Sequence, residues 1–148
     1  MKKWLPVLIL SAGLGSSFSF AQYGIVDCIE QKKLIVPRVQ GQVFDPTGIA
    51  LPDAAISLWP DGRPIVQLKS DAKGQFYFKV ESGHYILKAT YPGFAITTAE
   101  LEVGKDVVSI LHPEALRVIL ALPGLNCPWV TTSNKEFKEL VRKHATQK

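Results

Sequence analysis

The run from Gln75 to Val80 alternates strictly, with Phe76, Phe78 and Val80 on one parity and Gln75, Tyr77 and Lys79 on the other. Period-two alternation sends successive side chains to opposite faces, so this run can bury its apolar half only as a β-strand. Turn residues close it on both sides, Ser70-Asp71-Ala72-Lys73-Gly74 before it and Glu81-Ser82-Gly83 after it. A strand this short is not stable alone and must pair with other strands of the chain.

The neighbouring segments supply them. Val39, Gly41 and Val43 alternate with Arg38, Gln40 and Gln42, and Asp45-Pro46-Thr47-Gly48 then turns the chain. Ala54, Ile56 and Leu58 alternate with Ala55, Ser57 and Trp59 up to the Pro60–Pro64 turn, and Ile65 to Leu68 is a short strand. Tyr85, Leu87 and Ala89 form the apolar parity of a return strand from His84 to Tyr91. Ala95–Val103, Val107–Leu111 and Leu116–Leu122 are further β-prone runs between Gly and Pro breaks. This pattern predicts an all-β sandwich over residues 38–122, with a short C-terminal helix.

The two ends differ from the middle. Residues 1–21 read as a signal peptide: a basic Met1-Lys2-Lys3, an apolar stretch broken by Pro6, Gly13 and Gly15, and a Ser19-Phe20-Ala21 cleavage site. Residues 22–37 form an arm with an edge strand near Leu34. Residues 123–148 form a tail in which Ser133 and Glu136 have capping-box spacing and Phe137, Leu140 and Val141 share one helical face. That predicts a helix from Asn134 to about His144. Its basic residues fit either a face docked on the sandwich or an interaction arm.

Removing Lys2 and Lys3 with the signal leaves 15 basic residues against 13 acidic. That balance gives a nucleic-acid role little support, and no stable membrane span is expected after signal removal. Export to the periplasm or outside the cell would permit a disulfide, and Cys28 and Cys127 are the only two cysteines. Their bond would staple the terminal segments together.

The motifs Val39-Gln40-Gly41-Gln42-Val43-Phe44-Asp45, Leu51-Pro52-Asp53-Ala54-Ala55-Ile56-Ser57-Leu58, Ser70-Asp71-Ala72-Lys73-Gly74-Gln75-Phe76, Gly83-His84-Tyr85 and Gly93-Phe94 follow in order. Together they resemble the carboxypeptidase regulatory-like domain superfamily over about Arg38 to Leu111, and the resemblance implies its transthyretin-like (prealbumin-like) fold, a Greek-key β-sandwich of about seven strands. The resemblance implies a domain that is not itself catalytic. It also implies structural roles: Gly41 and Gly74 as strand and turn glycines, Ala54 as a small residue at a strand entry, Phe76 and Tyr85 as core aromatics. The Cys-bearing arm and the helical tail depart from the family pattern.

No residues form a catalytic, cofactor-binding or metal-binding pattern. His84, His112 and His144 lack metal-ligand spacing, and Ser57, Ser70, Ser82 and Ser109 lack an evident base. Asp45, Asp61 and Asp71 sit in turns without the spacing of a calcium loop. The His-bearing strand and the C-terminal ending of the purine-pathway hydrolases among transthyretin-like proteins are missing as well. Trp59 and Tyr77 fall on the parity opposite the core and are the candidate ligand contacts. The expected function is a non-catalytic exported module, a protein-binding or structural accessory of the cell envelope with an unknown envelope or extracellular protein as partner. The alternative is a carbohydrate-binding module whose exposed aromatics stack on a glycan.

Overall fold

The computed structural model describes residue 28 and residues 31–61, 65–104 and 115–146. The expected signal segment, the arm before Cys28, the Val107–Leu111 run and His112 lie outside the described residues.

Among the described residues nine strands and one helix follow in chain order: β1 (Leu34–Val36), β2 (Val39–Phe44), β3 (Ala55–Pro60), β4 (Val66–Lys69), β5 (Gln75–Phe78), β6 (Gly83–Thr90), β7 (Thr97–Val103), β8 (Leu116–Ile119), β9 (Trp129–Thr131) and α1 (Asn134–Ala145). They replace the expected count of about seven. The unforeseen strand is β9, inside the segment read as a tail. Three residues are too few to display an alternation, and β9 forms because β8 is there to pair with it.

The strands make a five-stranded sheet in the order β1-β7-β6-β3-β4 and a four-stranded sheet in the order β5-β2-β8-β9. Both are mixed, since β1 runs parallel to β7 and β2 parallel to β8. One core lies between them. Val39, Val43, Leu116 and Val118 enter it from the four-stranded sheet, and Ile56, Leu58, Leu87 and Leu101 from the five-stranded sheet. Each fully buried aliphatic side chain stabilises the fold by roughly 1.5–3 kcal/mol. The inward parities read from the sequence for β2, β3, β5 and β6 are the buried ones.

Gly41 sets how closely β2 and β8 approach, because a Cβ there would lie 2.1 Å from the Leu116 carbonyl oxygen. The two Asp-x-x-Gly turns share one construction. Asp45 Oδ1 accepts the N–H of Thr47 and of Ile49, and Asp71 Oδ1 accepts the N–H of Lys73 and of Gln75. Gly48 and Gly74 occupy the left-handed position in each, at φ 88° and 74°.

The helix α1 begins where the capping residues place it. Ser133 accepts the Glu136 N–H at 3.2 Å, and the Glu136 carboxylate accepts Trp129 Nε1–H and the Thr131 hydroxyl. Of the two readings of this helix, the docked one describes the molecule. Phe137 packs on Phe44 at 4.5 Å between ring centroids, and the Arg117 guanidinium lies 5.2 Å from the Phe137 ring centre. Phe44 and Ile119 are buried without belonging to the central cluster, so α1 builds a second, smaller core on the outer face of the four-stranded sheet. Cys28 and Cys127 are joined by a disulfide with a Cα–Cα distance of 5.5 Å. Closing a loop of 99 positions stabilises the fold by roughly 4–5 kcal/mol in chain-entropy terms.

Candidate functional site

Several of the polar residues singled out in the sequence are engaged in structure. Ser70 is buried; its hydroxyl accepts the Ala54 N–H at 2.9 Å and donates to the Leu51 carbonyl at 2.7 Å. Asp45 and Asp71 hold their own turns. The Tyr85 hydroxyl donates to the Glu81 carbonyl at 2.6 Å. His84 Nε2 lies 3.9 Å from Glu102 Oε2, and Glu102 is itself paired with Lys33 at 2.7 Å. The hydrogen bond and then the charge of Lys33 hold the Glu102 carboxyl below its ordinary range, and the same contacts raise Lys33. Among the described residues no three His, Cys, Asp or Glu side chains gather as a metal site would need.

What the molecule offers instead is strand edges, and they differ in how their backbone groups are used. In antiparallel pairing, alternate residues bond the neighbour and those between face away. Ser70 N–H donates to the Ala54 carbonyl at 2.9 Å, so the even positions of β4 face β3. Gln67 and Lys69 therefore present their N–H and C=O groups to the open side of the five-stranded sheet, where β4 is the terminal strand. Val66 is 45% exposed and Ile65, just before it, 42%.

Each of the other terminal strands has at most one open position among the described residues. On β9 the residue facing away from β8 is Val130. The Gln31 carboxamide pairs with both of its groups, accepting the Val130 N–H at 2.9 Å and donating to the Val130 carbonyl. On β5, Gln75 and Tyr77 face the edge; the Gln75 N–H goes to Asp71 Oδ1 at 2.8 Å and its carbonyl accepts the Asp71 N–H at 2.9 Å, which leaves Tyr77 as a single open position. On β1 only Ile35 faces away from β7, because Val36 is the residue whose carbonyl accepts the Gly104 N–H. Among the described residues, β4 is the edge with two successive open positions.

Trp59 and Tyr77 both lie on outer faces, as their parity predicts, but on different sheets, so they form no common platform. Trp59 is 37% exposed. Its Nε1–H donates to Ser57 Oγ at 2.9 Å, and Lys88 Nζ sits 4.0 Å from its ring centre. Cross-strand register places Ser57 beside Lys88 and Gln67, and Ala55 beside Thr90 and Lys69. The small Ala55 and Ser57 leave a groove of about 500 Å³ walled by Trp59, Lys69, Lys88 and Ile96. It adjoins the open edge of β4.

Tyr77 is 56% exposed and stands opposite Gln40. With Gln42, Gln75 and Arg117 it lines a second groove, of about 460 Å³, on the part of the four-stranded sheet beside α1. Trp129, by contrast, serves the helix start. Neither the Gln31 plug nor the two grooves has a signal in sequence, since each depends on register or on contact between distant segments.

No curated protein matches this chain. Among solved structures, 5-hydroxyisourate hydrolase of Klebsiella pneumoniae is 16% identical, with a TM-score of 0.49 over 67% of this chain and 100% of that one. The TIE protein of Bacillus anthracis is 24% identical, with a TM-score of 0.44 over 57% of this chain and 16% of that one. The 3-chlorocatechol 1,2-dioxygenase of Rhodococcus opacus is 15% identical, with a TM-score of 0.36 over 56% of this chain and 55% of that one. These scores are too low to carry a function across. Residues 38–112, just over half of the 148 positions, match the carboxypeptidase regulatory-like domain. The chain therefore belongs to the carboxypeptidase regulatory-like domain family, a family of non-catalytic β domains.

Proposed function

We propose that this chain is an exported accessory module that binds a protein partner by strand addition at β4. The observation that carries the reading is the pair of open backbone positions at Gln67 and Lys69, next to the Trp59 groove. Main-chain pairing at an edge supplies affinity, and side-chain pockets beside it supply selectivity. Export rests on the basic and apolar start of the chain together with the disulfide.

The test is Gln67→Pro. Proline at an outward N–H removes one docking donor and leaves the ladder to β3 intact. A partner isolated with the native chain from the envelope fraction should be lost by the folded variant. The same partner should slow hydrogen exchange at the Gln67 and Lys69 amides. Undiminished capture by a folded Gln67→Pro chain overturns strand addition.

A glycan is the second reading, and Tyr77 favours it over Trp59. Lys88 already covers one face of the Trp59 ring, while Tyr77 stands open among three glutamines. Tyr77→Ala should abolish glycan-array signal. Signal lost in Trp59→Ala instead would move the platform to the other sheet.

A further inference from the structure

The surroundings of β4 define what a strand added there must look like. We infer that the partner segment is an extended strand that alternates apolar residues facing inward with acidic residues facing outward; this rests on strand addition at β4.

The inward half follows from burial. Val66 and Leu68 are the inward positions of β4, opposite Leu58 and Ile56, both of which are fully buried. Val66 is nevertheless 45% exposed, because β4 ends its sheet and nothing described covers the open side of the core. A strand paired with β4 places every second side chain over Val66 and Leu68. Apolar residues at those positions bury exposed hydrocarbon on both partners, at about 25 cal/mol per Å². A charged residue there would be desolvated without a counter-charge.

The outward half follows from charge. Alternate side chains of the added strand lie on the outer face, beside Gln67 and Lys69. The residues facing out from β4, β3 and the adjoining part of β6 are Gln67, Lys69, Ala55, Ser57, Trp59, Ile86, Lys88 and Thr90. Two of these carry an ammonium group and none a carboxylate. Asp53 and Asp71 lie in the turns at the Lys69 end, where Asp71 Oδ1 is taken by the N–H groups of its own turn; the outward carboxylates on strands of this sheet, Glu100 and Glu102, lie beyond β6 on β7, and Glu102 is engaged by Lys33. A carboxylate on the added strand finds Lys69 as its cross-strand neighbour, and Lys88 stands one groove further in, over Trp59. A second copy of this chain fits poorly, since its β4 would bring another Lys69 to a patch already holding two lysines.

The experiment uses three end-blocked, fluorescein-labelled peptides of one length. Each has Val or Leu at alternate positions and Glu, Gln or Lys at the others. Binding to the full disulfide-bonded chain is read by fluorescence anisotropy at low and at physiological salt, alongside a Glu peptide N-methylated at alternate amides. The Glu peptide should bind about three- to tenfold tighter than the Lys peptide, since exposed ion pairs contribute modestly and Lys69 attracts the one and repels the other. The preference should shrink with salt and reverse in Lys69→Glu, and N-methylation should abolish binding. Equal affinity for the Glu and Lys peptides, with binding still abolished by N-methylation, overturns this inference and leaves strand addition standing. Affinity that survives N-methylation and Gln67→Pro overturns both. Dimerisation of the native chain that disappears in Gln67→Pro assigns the edge to a second copy and overturns the acidic partner.

Discussion

The two sheets end in strands that are treated in opposite ways. At β9 one carboxamide, from Gln31, pairs with both backbone groups of the residue that faces outward. At β4 two residues face outward and no described residue pairs with them. The outer faces follow the edges: α1 covers the four-stranded sheet at Phe44 and Ile119, while no described helix or strand covers the β3–β4 part of the five-stranded sheet, where the Lys88 side chain lies over Trp59. An exposed edge invites unwanted pairing, and proteins commonly cover or charge such edges. A chain that plugs one edge with a side chain drawn from another segment, and leaves another open beside a groove, separates the edge it protects from the edge it can use.

The largest effect should come from the disulfide, which holds the plug. Replacing Cys28 and Cys127 with Ser frees the segment that carries Gln31, at a cost of roughly 4 kcal/mol in unfolding free energy. Denaturant unfolding of the native and doubly substituted chains measures it, and the variant should also self-associate as β9 opens. A loss below about 1 kcal/mol with no change in mass by light scattering would mean that the arm is not what seals β9.

Phe137→Ala removes the contact that fastens α1 to the four-stranded sheet. Phe137 is half-buried, so the expected loss is about 2 kcal/mol, below the range for a fully buried phenylalanine. Exposure of Phe44 and Ile119 should appear as dye binding on that sheet. If stability is unchanged, the two outer faces are more alike than the docked helix implies.

Gln31→Ala isolates the plug from the staple. Water can reach the freed Val130 groups at the edge, so the stability loss should be about 1 kcal/mol. The larger consequence should be concentration-dependent association, absent from the native chain. A monomeric Gln31→Ala chain would show that another feature guards β9.

The contrast between the edges was only half visible in the sequence. The inward faces of β2, β3, β5 and β6 follow from alternation, and the start of α1 follows from Ser133 and Glu136, because those signals are local. The outward placement of Trp59 and Tyr77 follows from the same parity. Their surroundings do not. Lys88 reaches Trp59 because register sets Ser57 beside Lys88, and Gln40 stands beside Tyr77 by the pairing of β2 with β5. Gln31 meets Val130 across 99 positions, and a lone glutamine in an irregular arm carries no pattern to announce it.

The smallest expected effect concerns β1, the terminal strand at the other side of the five-stranded sheet. Lys33, just before β1, pairs with Glu102, whose cross-strand neighbour is Ile35, so an ion pair rather than a plug fastens this edge. Lys33 lowers the Glu102 pKa from its ordinary 4.5, so that carboxylate's contribution is full above 4.5 and is lost as pH falls through the lower, folded value. Glu102 raises the Lys33 pKa from its ordinary 10.5, so the ammonium's contribution is full below 10.5 and is lost as pH rises through the higher, folded value. Both groups are solvent-exposed, and salt should weaken the pair. The Tm difference between the native chain and Glu102→Gln should therefore be small near pH 7. It should close as pH falls through the lowered Glu102 value and the carboxylate is neutralised, and close again in high salt. A difference that persists in acid would mean that Glu102 holds β1 by something other than charge, such as a hydrogen bond that Gln does not reproduce.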